Sequence, residues 1–170
     1  MNATLSRDAV QRAWAVLESV PDPEIPVVSI RELGILREIH ERDGRLEVVI
    51  TPTYSGCPAM GQIEDDVNAA LAAGGLEATV VLRLAPAWTT DWITDAAREK
   101  LHAYGIAPPQ HAAAGNVVQF SRRAATPGNV PCPHCGSINT TETSHFSSTA
   151  CKALYKCLTC LEPFDHFKPY

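Results

Sequence analysis

The sequence predicts an α/β (α+β) protein in two parts. A small sandwich running α–β–β–α–β–α occupies residues 1–110, and a small β module occupies residues 130–170. Three observations lead there. Apolar residues recur at helical spacing in three segments and cluster as strands in three others. Asp43-Gly44 separates two of the strand-like runs, which is a strong hairpin signal. Two Cys-x-x-Cys pairs, Cys132/Cys135 and Cys157/Cys160, stand in a C-terminal segment too short to be held by an apolar core alone.

Residues 6–19 read as an amphipathic helix with Ser6 as N-cap and Val10, Ala13, Trp14 and Leu17 on one stripe. Pro21 stops it, and Pro23 and Pro26 keep the following DPEIP segment out of regular structure. Residues 35–41 and 45–52 are the hairpin strands, with Leu46, Val48 and Ile50 on one face of the second. After the loop TPTYSGC, residues 58–73 form a helix with Pro58 at its first position and Ile63, Val67, Ala70 and Leu71 on one stripe. Its acidic residues 64–66 lie nearer the positive end, and Gly74-Gly75 end it. Residues 77–84 are a third strand. A helix over 92–104 follows, capped by Thr90 or Asp91, with Trp88 and Trp92 covering the core. Residues 111–129 are a linker rich in Ala, Gly and Pro, with one strand-like stretch at 117–120.

The chain has 170 residues, 45% of them apolar and a net charge of −5. From residue 130 onward Lys152, Lys156 and Lys168 balance Glu142, Glu162 and Asp165, so the excess negative charge lies in the first part. Neither part carries the basic face of a nucleic-acid binder. No signal peptide and no membrane-spanning apolar run is present, which predicts a cytoplasmic protein. In that reducing compartment six cysteines point to metal or reactive thiols rather than disulfides.

The two Cys-x-x-Cys pairs are separated by 21 residues. Each turn can aim two thiolates at one ion, and two turns close a tetrahedron of four sulfurs with no open position for water. Cys132, Cys135, Cys157 and Cys160 are therefore read as ligands of a structural Zn2+ whose binding supplies folding free energy. Iron or an iron–sulfur cluster suits the same thiolates chemically, and four unligated core cysteines are the bland alternative. His134 lies inside the first turn but is not needed. Cys151 is either a small buried side chain or a second thiol for metal or cluster handling.

Cys57 sits beside the expected start of the second helix, where backbone N–H groups and the helix dipole would lower its pKa and make a reactive thiolate. A partly buried structural cysteine is the alternative. Asp22 and Glu24 could approach it in space. Asp22 also reads as a turn residue before Pro23, and Thr51 and Thr53 as strand-end residues. No base and orienting partner for a cysteine hydrolase can be assigned.

DPEIPVVSIRELGIL and TPTYSGCPAM together resemble the DPE…DLG opening and the T-x-T-x-x-x-CP loop of the SufT-like iron–sulfur assembly family (domain of unknown function 59). FSSTACKALYKCLTCLEPFDHFK resembles the tail of the D-protein family of phenylacetate degradation, which is encoded with the bacterial phenylacetyl-CoA epoxidase, a multicomponent oxygenase. The family motif maps onto Asp22, Pro23, Glu24, Gly34, Thr51, Thr53, Cys57 and Pro58, with Glu32 where the family has Asp.

The resemblance implies a SufT-like sandwich with a zinc ribbon. It also implies a non-enzymatic maturation factor that delivers iron or a [2Fe–2S] cluster to the epoxidase, either to its [2Fe–2S] reductase component or to its di-iron oxygenase subunit. Cys57 would be the transfer thiol, supported by Asp22, Glu24, Thr51, Thr53 or Cys151. One cysteine cannot hold a [2Fe–2S] cluster, so Cys151, the Cys57 of a second protomer in a homodimer, or a client thiol would have to help. The competing expectation is a structural or regulatory subunit bound to the assembled epoxidase, with no role for Cys57. No Glu-x-x-His pair for a di-iron site and no nucleotide loop is present.

Overall fold

The computed structural model describes residues 7–109 and 130–169. Ser6 and the strand-like stretch 117–120 of the linker lie outside them. The chain divides into two compact units, Met1–Trp88 with Trp92–Thr94, and Thr89–Asp91 with Asp95–Tyr170. Among the described residues no helix is long and apolar enough to cross a membrane.

The first unit contains α1 (Arg7–Leu17), β1 (Leu36–Arg42), β2 (Arg45–Ile50), α2 (Met60–Ala73) and β3 (Ala78–Leu82). β1 and β2 form the expected hairpin. Asp43 and Gly44 have φ of 52° and 77°, the two positive angles that a tight two-residue turn requires. β3 pairs parallel to β2, giving the order β1-β2-β3. A parallel neighbour needs a crossover, and α2 supplies it. The central strand buries Leu46, Val48, Val49 and Ile50. α2 buries Ile63, Val67 and Leu71, as its periodicity predicts. α1 buries Ala9, Ala13 and Leu17, so its inward stripe is rotated slightly from the expected one. Val10 and Trp14 are left half-buried, and the Arg31 guanidinium lies 5.1 Å over the Trp14 ring.

Gly34 locks this unit together. Its φ is +74°, and a Cβ there would lie 2.6 Å from Trp92 Cβ and 2.9 Å from the Trp92 carbonyl oxygen. Nearby, Trp88 is buried and its Nε1–H donates to the Leu33 carbonyl at 2.9 Å. The two tryptophans thus close over the turn that ends in Gly34, in keeping with their expected place over the core.

The second unit contains α3 (Asp95–Ala103), β4 (Ile106–Ala107), β5 (Thr140–Ser144), β6 (Lys152–Cys157) and β7 (Pro163–Phe167). Its sheet has the order β4-β7-β6-β5, with β4 parallel to β7 and the other pairs antiparallel. The element order is the predicted one, α–β–β–α–β–α followed by a β-rich module. The last helix, however, clusters with the second unit. Within that unit Arg98 donates to the carbonyls of Thr90, at 2.8 Å, and Pro109.

The helix expected over 92–104 is shorter. Thr90–Trp92 form a 3-10 turn, so neither Thr90 nor Asp91 caps α3. The intervening backbone is held elsewhere, because the Thr94 N–H donates to the Glu32 carbonyl at 3.0 Å.

Gly34→Ala combines a left-handed backbone with a steric clash. It should destabilise the first unit by about 2–4 kcal/mol, measured by urea unfolding followed through tryptophan fluorescence. A change within about ±0.5 kcal/mol, the range of a neutral surface substitution, would contradict the packing described.

Candidate functional site

Two Cys-x-x-Cys turns converge within the second unit. The four sulfurs of Cys132, Cys135, Cys157 and Cys160 lie within 4.8 Å of one another. Cys132 Sγ is 3.7 Å from Cys160 Sγ, and Cys135 Sγ is 3.6 Å from Cys157 Sγ. A tetrahedron with metal–sulfur bonds of about 2.3 Å has edges of about 3.8 Å, so the spacing fits one metal ion. Among the described residues this is the group of Cys, His, Asp or Glu side chains that converges in this way.

Local backbone chemistry explains the convergence. After the first pair, Gly136 has φ +73° and its N–H donates to the Cys132 carbonyl at 2.8 Å. After the second pair, Leu161 takes the same left-handed region, at φ +68°. The N–H groups of Thr159 and Cys160 point at Cys157 Sγ, at 3.4 and 3.5 Å. They favour the thiolate and pull Cys157 down to about 6, the Cys160 N–H first. Cys160 is pushed up to about 12. The Glu162 N–H lowers it, but burial and the hydrogen bonds from Cys157, Cys135 and Cys132 outweigh that. One thiolate forms readily and makes the next one costly. A bound cation reverses this and allows all four to ionise.

Cys151 is not one of the converging sulfurs. It is buried just before β6, and its sulfur is 3.0 Å from Thr149 Oγ1. That supports the reading of Cys151 as a packed side chain.

The Cys57 loop differs from expectation in two respects. α2 begins at Met60, with Ala59 at its N-cap position and no side-chain cap. Cys57 therefore precedes the helix by a turn. Its N–H donates to the Tyr54 carbonyl and its carbonyl accepts from the Met60 N–H, each at 3.3 Å. The thiol pKa is raised rather than lowered. Burial is the largest cause, and the negative charges of Glu24 and Asp22 add to it. Hydrogen bonds from the Ala59 N–H and the Tyr54 side chain pull the other way without prevailing. The fold thus brings the two acids near Cys57, and their proximity opposes the thiolate. Tyr54 is a partner that sequence reasoning missed.

The acids are positioned by the backbone around them. Asp22 is buried, and its Oδ1 accepts from the N–H groups of Glu24 at 3.0 Å and Ile25 at 2.8 Å. The turn that follows is closed by Ser29 and Glu32. The Ser29 N–H donates to Glu32 Oε2 at 2.9 Å, and the Glu32 N–H donates to Ser29 Oγ at 3.2 Å. This is the reciprocal pairing of a capping box, and S-x-x-E is legible at Ser29–Glu32. It gives the longer Glu32 carboxylate a definite role. Thr51 and Thr53 are buried at the end of β2, where the Thr51 N–H donates to the Ile35 carbonyl at 2.8 Å.

Removing either acid should lower the Cys57 pKa, because less negative charge then opposes the thiolate. Glu24→Gln should therefore speed iodoacetamide labelling of Cys57 in mildly alkaline buffer, read by peptide mass spectrometry, and shift the pH–rate curve to lower pH. A wild-type rate that is already saturated at neutral pH would contradict the raised pKa. Cys157→Ser should lose the bound metal and unfold the second unit, a loss of several kcal/mol, seen by metal analysis and circular dichroism.

Residues 10–82 match the family model described as an iron–sulfur cluster assembly protein, and residues 118–168 match the PaaD zinc beta ribbon domain. The chain is 47% identical over 167 residues to the D component of the "Putative 1,2-phenylacetyl-CoA epoxidase" of Escherichia coli K12, covering 98% of this chain and 96% of that one. A crystal structure of a domain of unknown function DUF59 from Bacillus anthracis matches with a TM-score of 0.50 and 28% identity. That match covers 55% of this chain and 92% of the other. With the converged cysteines and the sandwich in place, these matches establish that the chain belongs to the PaaD family of iron–sulfur cluster assembly proteins with a C-terminal zinc-ribbon domain.

Proposed function

We propose that this protein is an accessory maturation factor that passes iron or a [2Fe–2S] cluster to a phenylacetyl-CoA epoxidase, with the [2Fe–2S] reductase component as its client. The assembly chemistry is assigned to residues 1–110 and the ribbon to residues 130–170, joined by the linker 111–129. The ribbon holds Zn2+ through Cys132, Cys135, Cys157 and Cys160, and its role is structural because all four positions are filled by protein. The relative named as an epoxidase component supports the client, and the iron–sulfur assembly family supports the cargo.

The observation that carries the proposal is the setting of Cys57. A half-buried thiol beside two carboxylates resists ionisation while it is empty. An arriving iron ion or cluster reverses that balance. Its positive charge is attracted by Asp22 and Glu24, and it displaces the thiol proton to form an iron–thiolate bond. The free thiol is thus protected from side reactions, and the thiolate forms chiefly with cargo present. Because one thiolate leaves a [2Fe–2S] cluster incompletely ligated, the remaining ligands come from a second protomer's Cys57 or from the client. Burial of Cys151 within the ribbon unit argues against its supplying them. Thr51 and Thr53 brace the loop from the end of β2.

A second reading is a structural or regulatory subunit bound to the assembled epoxidase. The side chains that favour it are Ile138, Leu158 and Leu161, which are 67%, 48% and 64% exposed around the two cysteine turns. Such a surface suits a protein contact. The two readings separate in cells lacking the wild-type gene. With Cys57→Ser as the sole copy, delivery through Cys57 predicts a reductase that is made but lacks most of its [2Fe–2S] absorbance. A full cluster content, with the variant co-purifying stoichiometrically with the epoxidase, would refute that delivery and favour the subunit role.

A further inference from the structure

The tail motif FSSTACKALYKCLTCLEPFDHFK contains more than metal ligands, and several of its other residues meet at one place in the second unit. A cleft of about 350 Å³ is lined by Glu142, His145, Tyr155, His166 and Lys168, with Ala153 among the lining residues. The strand register explains its shape. Glu142 on β5 is paired with Tyr155 on β6, and Ala153 on β6 is paired with His166 on β7. A small side chain therefore stands between larger ones, and the cleft opens over it.

The polar groups are ordered. Both oxygens of Glu142 are used, one by the Tyr155 hydroxyl at 3.1 Å and the other by His145 Nδ1 at 3.2 Å. His166 Nδ1 lies 3.2 Å from the Ala107 carbonyl oxygen. A carbonyl can only accept, so the hydrogen of this ring is fixed on Nδ1 and its Nε2 is left as an acceptor, which suits a donor and not a carboxylate oxygen. The His166 ring meets Tyr155 edge-on at 5.4 Å.

Lys168 is the unusual member. It is 8% exposed, yet its ammonium has no carboxylate within 4.0 Å among the described residues. Its Nζ donates to the His145 carbonyl at 3.2 Å and stands 4.4 Å from the centre of the Phe146 ring. Burial lowers its pKa, and the charges of Cys151 and Glu142 raise it without restoring the ordinary value. Buried lysines ordinarily have a paired anion. The neighbouring Lys152 has one, with its Nζ 2.9 Å from Asp165 Oδ2. The ammonium carries three N–H donors, and the bond to His145 uses one.

We propose that this cleft is a binding site for a carboxylate, with Lys168 as the charge partner and His145 beside it as a flanking hydrogen-bonding group. The carboxylate is that of a small organic acid or that of a polypeptide C-terminus. Nothing in the metal centre or the Cys57 loop requires the site, so its fate is independent of the delivery role.

The test is NMR titration of the full-length, zinc-loaded protein, following the His145 and His166 ring signals. Three probes are compared: phenylacetate, a short peptide with a free C-terminal carboxylate, and the same peptide amidated. Saturable shifts with phenylacetate assign a small acid. Shifts with the free peptide and not with its amide assign a chain terminus. Lys168→Met should weaken whichever binds by roughly tenfold or more, the loss of a charge-assisted hydrogen bond. His145 is exposed at the surface, so His145→Ala keeps the test valid if the lysine variant misfolds, and it too should weaken binding while zinc content is retained. Absence of saturable shifts with every probe, or unchanged affinity in a folded variant, would overturn the proposal.

Discussion

The convergence of four cysteine sulfurs at one point is the constraint on which the second unit depends. Its core cluster is small, consisting of Ala107, Val130, Cys132, Ala153, Tyr155, Cys157 and Phe164 with Cys160 packed against it. Three members of that group are themselves cysteines of the converging set. Without an ion the thiols oppose one another, as the split between Cys157 at about 6 and Cys160 at about 12 expresses. With an ion the same sulfurs join the turn after Cys132 to the turn after Cys157, and the hairpin of β6 and β7 is fixed to the segment before β5. A metal held by these sulfurs would make binding and folding one event in this unit.

Among the described residues the first unit has no such staple, and it is held by ordinary packing. Its order comes from the β2 core, the crossover helix α2, and the close approach of Trp92 to Gly34. That packing presents the turn carrying Asp22 and Glu24 to the loop carrying Cys57. Backbone N–H groups hold Asp22 in place, and the Ser29–Glu32 pair closes the next turn. Rigid turns thus set the electrostatic environment of a single thiol. The environment suits a group that should stay protonated until a cation reaches it.

Much of this was legible in the sequence because the signals were local. The two Cys-x-x-Cys pairs predicted the convergence of four sulfurs, Asp43-Gly44 the hairpin, and the spacing of Ile63, Val67 and Leu71 the inward face of α2. What was not legible depended on distant partners. The sign of the Cys57 pKa shift follows from burial and from acids more than thirty residues away, whereas the local view saw only a helix start. The association of α3 with the second unit has no local signature. β4 is two residues long and exists only by pairing with β7. The shortening of the helix expected over 92–104 reflects the Trp92–Gly34 contact and the Thr94–Glu32 hydrogen bond. The capping box at Ser29–Glu32 could have been read in advance, since its spacing is complete in the sequence.

The central claim is that one chain has two thiol sites of different kinds, a permanent one made of four cysteines and a transient one at Cys57. Metal and acid-labile sulfide analysis of anaerobically purified protein, wild type beside Cys57→Ser, tests it most directly. The expected result is about one zinc per chain in both proteins, with iron and sulfide in the wild type alone. Zinc in both and iron in neither, even after reconstitution with iron and sulfide, would contradict the claim and leave Cys57 without a carrier role.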